Sequence, residues 1–403
     1  MKKYLIIPAM PTPNGPLHLG HIGGPYLRAD IMARYLRQLG HHVIVLSGTD
    51  NYENYTQRQA VKEGVTPTEI CNKYYPQIVA ELKFMNIILD NFINPHDDQW
   101  IEKYRSMCFG LLAQAESTGK IRVENGDYFL RLPQHVDLHH KGISDSLIHA
   151  YEKYLTKSHH ETPLTSDSDW GFALSEGKTL LSYGFVYAYY LLLAGKNAFS
   201  KDSETTIIAT FGVDNTIPIL ASVAGMSAVH ENFKPVDYYI INYFYHVNGK
   251  KFSTSSRHAI WVSDIKQQNI SVDILRFFLA SIDVSAAVGD FSLDDFLQFH
   301  TRMAAAIELW MQVPVVPAHA PHTDSAELYQ CIDQALQPHQ FMPHLAVQAI
   351  QEWMNRGNTI VMQAEEYSAW LQALGVAVEP FMPQLAERIY LMTREQTTCI
   401  NMM

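Results

Sequence analysis

The sequence predicts an α/β protein: a doubly wound, Rossmann-type parallel sheet carrying a short insertion and followed by an α-helical C-terminal domain. Three observations predict it. Short apolar runs flanked by turn formers recur at Tyr4–Ala9, His42–Gly48, Thr206–Gly212 and Tyr238–Ile241, as in strands buried on both faces. A helical period fills the space between the first two: over Ile22–Leu39, Tyr26, Ile31, Tyr35 and Leu39 fall on or near one face. From Ser271 onward helical periods dominate, which places a bundle behind the sheet.

Taken in order, residues 1–125 read as the first half of the α/β core, with a turn-rich loop at Met10–Pro16 behind the first strand. Residues 126–175 read as a reduced insertion; Asp127–Trp170 is polar, histidine-rich and expected to be mainly helical. The second half of the core follows at 176–235, a connecting region at 236–292, and a helical bundle at 293–403. Within the bundle a helix at about 293–312 ends at the proline-rich linker Val313–Pro321.

Bulk properties narrow the class. The 403 residues are 47% hydrophobic and 18% charged, a globular composition with a large core. A net charge of −11 gives no global basic footprint for nucleic acid, although a local basic groove remains compatible with it. Cys71, Cys108, Cys331 and Cys399 are scattered without a CxxC pair, which fits reduced thiols rather than a zinc knuckle or a disulfide framework. The opening apolar run is too short and proline-rich for a signal peptide, and no stretch reads as a membrane span, so the expected location is the cytoplasm.

Two stretches carry chemistry. The first is GPLHLGHIGG, Gly15–Gly24, at the hand-over from the first strand to a helix. Gly15 and Gly20 would let a planar or phosphate ligand approach bare backbone. His18 and His21, three apart, would share one face of the first turn, where donors can neutralise charge on a phosphate. Read alone, the stretch also fits two exposed histidines capping a helix; a metal site would be incomplete. The second is HVNGKKFSTSSRHAIWV, His246–Val262, with Lys250 and Lys251 after a glycine and small hydroxyl residues behind them. No GxxxxGK[ST] exists, which removes a P-loop enzyme.

Together, His18-Leu19-Gly20-His21 and Lys251-Phe252-Ser253-Thr254-Ser255, in this order on a split α/β sheet, resemble the two signatures of class I aminoacyl-tRNA synthetases, with threonine at the second lysine of the latter motif. The stretches PAMPTPNGPLHLGHIGGPYLRADIMARYLRQLG, VIVLSGTDNY, DSDWGF, FGVD and VDILRFFLA narrow the resemblance to the methionyl-tRNA synthetases. It implies the class I catalytic core and ATP-dependent amino-acid activation through an aminoacyl-adenylate. It places His18, His21 and Lys251 on the reacting phosphates, and Gly15, Gly20, Gly212, Asp214, Lys250, Ser253 and Ser255 around ATP. It places the amino acid against Ala9, Met10, Thr12, Asp50, Tyr183, Val186, Tyr187, Tyr190, Pro218 and Ile219, with Asp50 on the ammonium. Mg2+ is expected with ATP.

Three departures from the resemblance lie away from ATP. GKIRVENGDYFLRL runs past the position of the family's zinc-binding cysteines, so no structural zinc is expected. The amino-acid positions are rewritten: Thr12 replaces a tyrosine, Pro218-Ile219 a phenylalanine–histidine pair, and Asn51-Tyr52-Glu53 follows Asp50. Trp310 and Pro314 stand where the family reads anticodon bases, while Trp353 and Trp370 fit a helical core better than base stacking. The acceptor of the activated acyl group is therefore either tRNA or a small amine, thiol or carrier protein. A methionine–tRNA ligase of minimal size and a non-catalytic RNA-binding protein are the alternatives.

Overall fold

An exposed lysine followed by five buried residues makes β1 (Lys3–Pro8) a strand covered on both faces. The structure is a computed structural model that describes residues 1–251, 259–316, 320–359 and 362–400. The chain divides into two units, Met1–Leu17 with Gly40–Asn242, and His18–Leu39 with Tyr243–Met403.

In the first unit β2 (His42–Gly48) lies parallel to β1, and two helices, α1 (Asn54–Glu63) and α2 (Pro67–Phe84), lead to β3 (Asn91–Ile93). The start of α2 is written locally: Thr66 and Glu69 exchange side-chain and backbone hydrogen bonds in a capping box, with Pro67 at the first helical position. α3 (Asp98–Ser117) then delivers the chain to the insertion.

The insertion mixes short strands with one helix, which corrects the mainly helical expectation for Asp127–Trp170. β4 (Ile121–Glu124) and β5 (Asp127–Arg131) form a hairpin whose turn, Asn125-Gly126, holds φ of 52° and 85°. A two-residue turn with both φ positive matches the twist of the flanking strands and favours this dipeptide. One helix, α4 (Asp145–Lys157), precedes β6 (Glu161–Pro163), which pairs with β5; β7 (Thr165–Asp167), β8 (Ala173–Ser175) and β9 (Lys178–Leu180) make a second small sheet. The polar composition here is that of short strands exposed on one side.

After α5 (Val186–Ala194) the chain returns to the main sheet as β10 (Thr205–Gly212), and α6 (Thr216–Ser227) crosses to β11 (Tyr238–Asn242). The strand order is β11-β10-β1-β2-β3, all parallel. The order reverses between β1 and β10. In doubly wound sheets the crevice at the carboxyl ends of those strands is where ligands bind.

In the second unit the expected helix at Ile22–Leu39 is broken. A three-residue turn of α-helix, Leu19–His21, passes through a widened turn, Ile22–Tyr26, before the main helix Leu27–Gln38. Pro25 is the cause: it supplies no N–H and pushes the residue before it out of the helical region, and Gly24 has φ −75°, ψ −115°. Tyr26, Ile31 and Tyr35 are buried as expected, whereas Leu39 is 49% exposed. The main helix buries Asp30 against two cations. Arg34 Nε reaches Asp30 Oδ2 at 2.7 Å and Arg276 Nη2 reaches it at 2.6 Å.

A small sheet in this unit joins β12 (Tyr245–Val247), antiparallel to β13 (Lys250–Lys251) and parallel to β14 (Gly289–Phe291). A second Asn-Gly turn, Asn248-Gly249, with φ of 49° and 77°, makes the first pairing. The helix Leu293–Gln312 matches the expected 293–312, and three further helices begin at Ser325, Pro343 and Ala364 before the last, Pro383–Ile400. Trp353 and Trp370 are core, as expected. They are 3% and 0% exposed, and each indole N–H donates to the other's carbonyl, at 3.2 and 3.0 Å. No helix among the described residues is long and apolar enough to cross a membrane.

Candidate active site

In the first unit three loops leave the carboxyl ends of the strands around the switch point. The loop after β1 is held at both ends. Ala9 N–H donates to Thr210 O at 2.7 Å, and Leu17 N–H donates to Glu81 Oε2 at 2.6 Å. Between them lie half-buried Met10 and Thr12 and buried Gly15, where an added Cβ would meet nothing within 4 Å. Gly15 is thus not required by crowding inside the protein. The loop after β10 carries Gly212 and exposed Asp214, whose carboxylate folds back so that a Cβ on Gly212 would lie 2.7 Å from Asp214 Oδ1.

The loop after β2 brings in the carboxylates. Asp50 N–H donates to Pro11 O at 3.0 Å, which ties this loop to the first. Asp50 Oδ2 and Glu53 Oε1 each lie 3.1 Å from Ser182 Oγ. Burial raises both carboxyls, and the Glu53 charge raises Asp50 further, while the Ser182 hydroxyl opposes the rise in each. Ser182 also lines a narrow crevice of about 10 Å3, room for a single water, walled by Tyr52, Tyr104, Cys108, Phe172, Leu180, Leu181 and Phe185. Trp170 closes on the same aromatic group, its centroid 5.4 Å from that of Tyr52, and donates its indole N–H to Asn51 O at 2.6 Å.

Not every expected amino-acid residue reaches this cleft. Tyr183 stands beside it, with its hydroxyl donating to Asn215 Oδ1 at 2.9 Å. Val186, Tyr187, Tyr190 and Ile219 are 0–3% exposed and pack in the core. Tyr187 donates to Lys234 O at 2.7 Å and Tyr190 stacks on Phe199, so their polar and apolar surfaces are already occupied. Pro218 is half-buried in the first turn of α6. Tyr52 and Glu53, which follow Asp50 in sequence, are joined around Asp50 by Ser182, Tyr104 and Phe172, three residues that sequence reasoning did not single out.

In the second unit His18 caps the three-residue turn that ends at His21, and the two rings stack with centroids 3.8 Å apart. The backbone settles their tautomers. Gly20 N–H donates to His18 Nδ1 at 3.1 Å, and His18 N–H donates to His21 Nδ1 at 3.3 Å. A nitrogen that accepts a hydrogen bond carries no proton, so each neutral ring holds its proton on Nε2. Burial lowers the pKa of His21 to about 4; burial and then the neighbouring His21 lower His18 to about 2. The pair therefore offers two neutral Nε2–H donors at pH 7. A turn of three residues carries little macrodipole, so the rings and backbone amides supply the polarity that the sequence had assigned to a helix end. Trp261 braces the pair: Leu19 N–H donates to Ile260 O at 3.0 Å, and the Trp261 and His18 rings meet edge to face at 5.8 Å.

Exposed Lys250 and the backbone of Lys251 lie on β13; Ser253 and Ser255 lie outside the described residues. Among the described residues, no three His, Cys, Asp or Glu side chains gather as a metal site.

A family model for tRNA synthetases class I (M) matches residues 4–128 and 116–306. The chain belongs to this family. Among curated relatives, the methionine–tRNA ligase of Methanococcus vannielii is 26% identical over 370 residues, 73% of this chain and 55% of the relative. That of Methanocaldococcus jannaschii is 25% identical over 365 residues, 73% of this chain and 56% of the relative. This class I synthetase thus spans little more than half the length of the curated relatives it matches. The Mycobacterium tuberculosis methionyl-tRNA synthetase bound by methionyl-adenylate is similar in fold, with a TM-score of 0.75 and 16% identity, covering 96% of this chain and 94% of that one. A second structure of that enzyme gives a TM-score of 0.72 at 18% identity.

Proposed function

We propose that this class I synthetase activates an amino acid with ATP, releasing pyrophosphate, and passes the aminoacyl group to tRNA. The observation that carries the reading is the stacked pair His18 and His21, with both Nδ1 atoms occupied and both protons on Nε2. In the reaction a carboxylate oxygen of the amino acid attacks the α-phosphorus of ATP. The new P–O bond forms as the bond to the pyrophosphate oxygen breaks, and pyrophosphate leaves with that electron pair. No protein nucleophile is required, only position and stabilisation of charge on the phosphate oxygens. His18 and His21 donate Nε2–H to those oxygens as neutral groups, and Lys251 supplies positive charge to the departing pyrophosphate. Gly15 and Gly20 admit the nucleotide to bare backbone, Asp214 accepts from the ribose hydroxyls, and Asp50 takes the ammonium. Mg2+ entering with ATP would be held by phosphate oxygens and would add positive charge there.

The relatives are named as methionine–tRNA ligases, which makes methionine the first amino acid to test and tRNA the first acceptor. The test is ATP–pyrophosphate exchange without tRNA across the standard amino acids. Exchange dependent on one amino acid is the expected result; exchange with none, with or without tRNA, would overturn the reading. Acylation of RNA that ribonuclease destroys is expected next. Turnover that survives ribonuclease would move the acceptor to a small amine, thiol or carrier protein.

A further inference from the structure

The Ser182 hydroxyl stands between two carboxylates with too few protons to serve both. Asp50 Oδ2 and Glu53 Oε1 are each 3.1 Å from Ser182 Oγ, and a hydroxyl donates only once. With both carboxylates charged, one of the two oxygen–oxygen contacts has no proton in it. Burying that arrangement is unfavourable, since Glu53 is 7% and Ser182 8% exposed. Something must add one N–H or O–H: a proton taken from solvent, or a cation.

Among the described residues the cation acting on the pair is Arg58 of α1, the helix that Glu53 caps; it is exposed and is the weakest of the influences on that carboxyl. From α2 comes Cys71, and from α3 come Tyr104 and Cys108. Tyr52 and Tyr183 approach along the chain from Asp50 and Ser182. Burial raises the pKa of all five, so each is neutral at pH 7. The charged groups facing Tyr52 and Tyr183 from further out, Glu102 and Asp214, are anions. The missing proton therefore comes from solvent when the site is empty and from a ligand when it is filled. The crevice beginning at Ser182, water-sized and lined by aromatic rings, lies beside the two carboxylates.

We propose that Asp50, Glu53 and Ser182 form one ammonium clamp, which exchanges a shared proton for the amine of the amino acid and releases that proton to solvent. Glu53 is then a second binding carboxylate, set apart in sequence from the first by two residues. The inference rests on the amino-acid activation proposed above, and specifies how its amine is held. The exchange balances: the clamp loses one proton, gains one ammonium, and ends with both carboxylates ionised.

The test is calorimetry of L-methionine binding to the full chain at pH 7, in two buffers of different ionisation enthalpy. The other standard amino acids follow in turn if methionine does not bind. Release close to one proton per bound amino acid is expected. Glu53→Gln should abolish most of that release. It should also raise the KM for the amino acid in pyrophosphate exchange by roughly ten- to a hundredfold, with the KM for ATP unchanged. Glu53→Asp should restore part of the release, and Ser182→Ala, which leaves both carboxylates in place, gives an independent reading if the Gln variant does not fold. Binding with no proton release, or release unchanged in Glu53→Gln, would overturn the clamp while leaving activation intact. Failure of every amino acid to bind and exchange would overturn both.

Discussion

The histidine pair makes the sharpest prediction, because its protonation state follows from hydrogen bonds and can be measured. Each Nδ1 already faces a backbone N–H, so protonating it would set two hydrogens against each other in a half-buried site. The unfolded chain gives both rings a pKa near 6.5; the fold lowers His21 to about 4 and His18 to about 2. Between pH 6.5 and 4 the unfolded state thus binds more protons, and stability falls as pH falls. At pH 5 each ring costs about 2 kcal/mol relative to pH 7, from 1.36 kcal/mol per unit over the interval below 6.5. Partial exposure of both rings trims the sum to about 2–4 kcal/mol.

Two assays check this. In histidine-labelled protein, the ring signals of His18 and His21 should not titrate above pH 5. In urea unfolding at pH 7 and pH 5, a His18→Asn/His21→Asn variant should lose about 2–4 kcal/mol less than the wild type across that interval, a difference that cancels the other titrating groups. A ring that titrates at pH 6 or above, or equal losses in the two proteins, would refute the tautomer assignment. It would also remove the neutral-donor role proposed at the phosphates.

Other predictions follow from single contacts. Lys251→Ala should slow adenylation by about 2–4 kcal/mol of transition-state stabilisation, read as the single-turnover rate with saturating ATP; an unchanged rate removes its role. Asp30→Ala should cost about 3–5 kcal/mol in urea unfolding, because it leaves Arg34 and Arg276 facing a site without their shared anion. A loss below about 1 kcal/mol would mean water replaces the carboxylate. Gly357→Ala should cost about 1–3 kcal/mol, since its Cβ would run into the Trp370 ring, which is itself fully buried. A neutral result would show that this end of the bundle is loosely packed.

The sheet was legible because a strand buried on both faces writes itself as an unbroken apolar run. Pro8, at the end of β1, did not disturb it. The insertion was not, although its signal was present. Asn125-Gly126 and Asn248-Gly249 are the same two-residue hairpin turn, and each sits between short strands too polar to show a period. Reading the dipeptide rather than the composition would have given strands in the insertion and a hairpin ahead of Lys250. The broken helix was also written locally, in Gly24-Pro25, but the period on either side of the break was strong enough to conceal it.

The candidate site divides along a different line. Residues that meet phosphate do so through backbone and ring nitrogens, and that chemistry admits few side chains, so His18, Gly20 and His21 form a short, recognisable string. A pocket for an amino acid is made by shape, and shape is spread over the chain. Tyr52, Tyr104, Phe172 and Ser182 come from four separate segments, and no spacing in the sequence predicts their meeting. Positions carried over by resemblance sit differently: Tyr187 is tied to the Lys234 carbonyl and Tyr190 stacks on Phe199, both inside the core. Asp50 is the fixed point common to both arrangements, because an ammonium needs a carboxylate wherever the side chain is placed. Glu53 adds a second demand: two carboxylates on one hydroxyl, one of them buried, are stable only with a proton or a cation between them. What fills this site therefore decides its charge, and the clamp experiment reads substrate recognition from the proton it displaces.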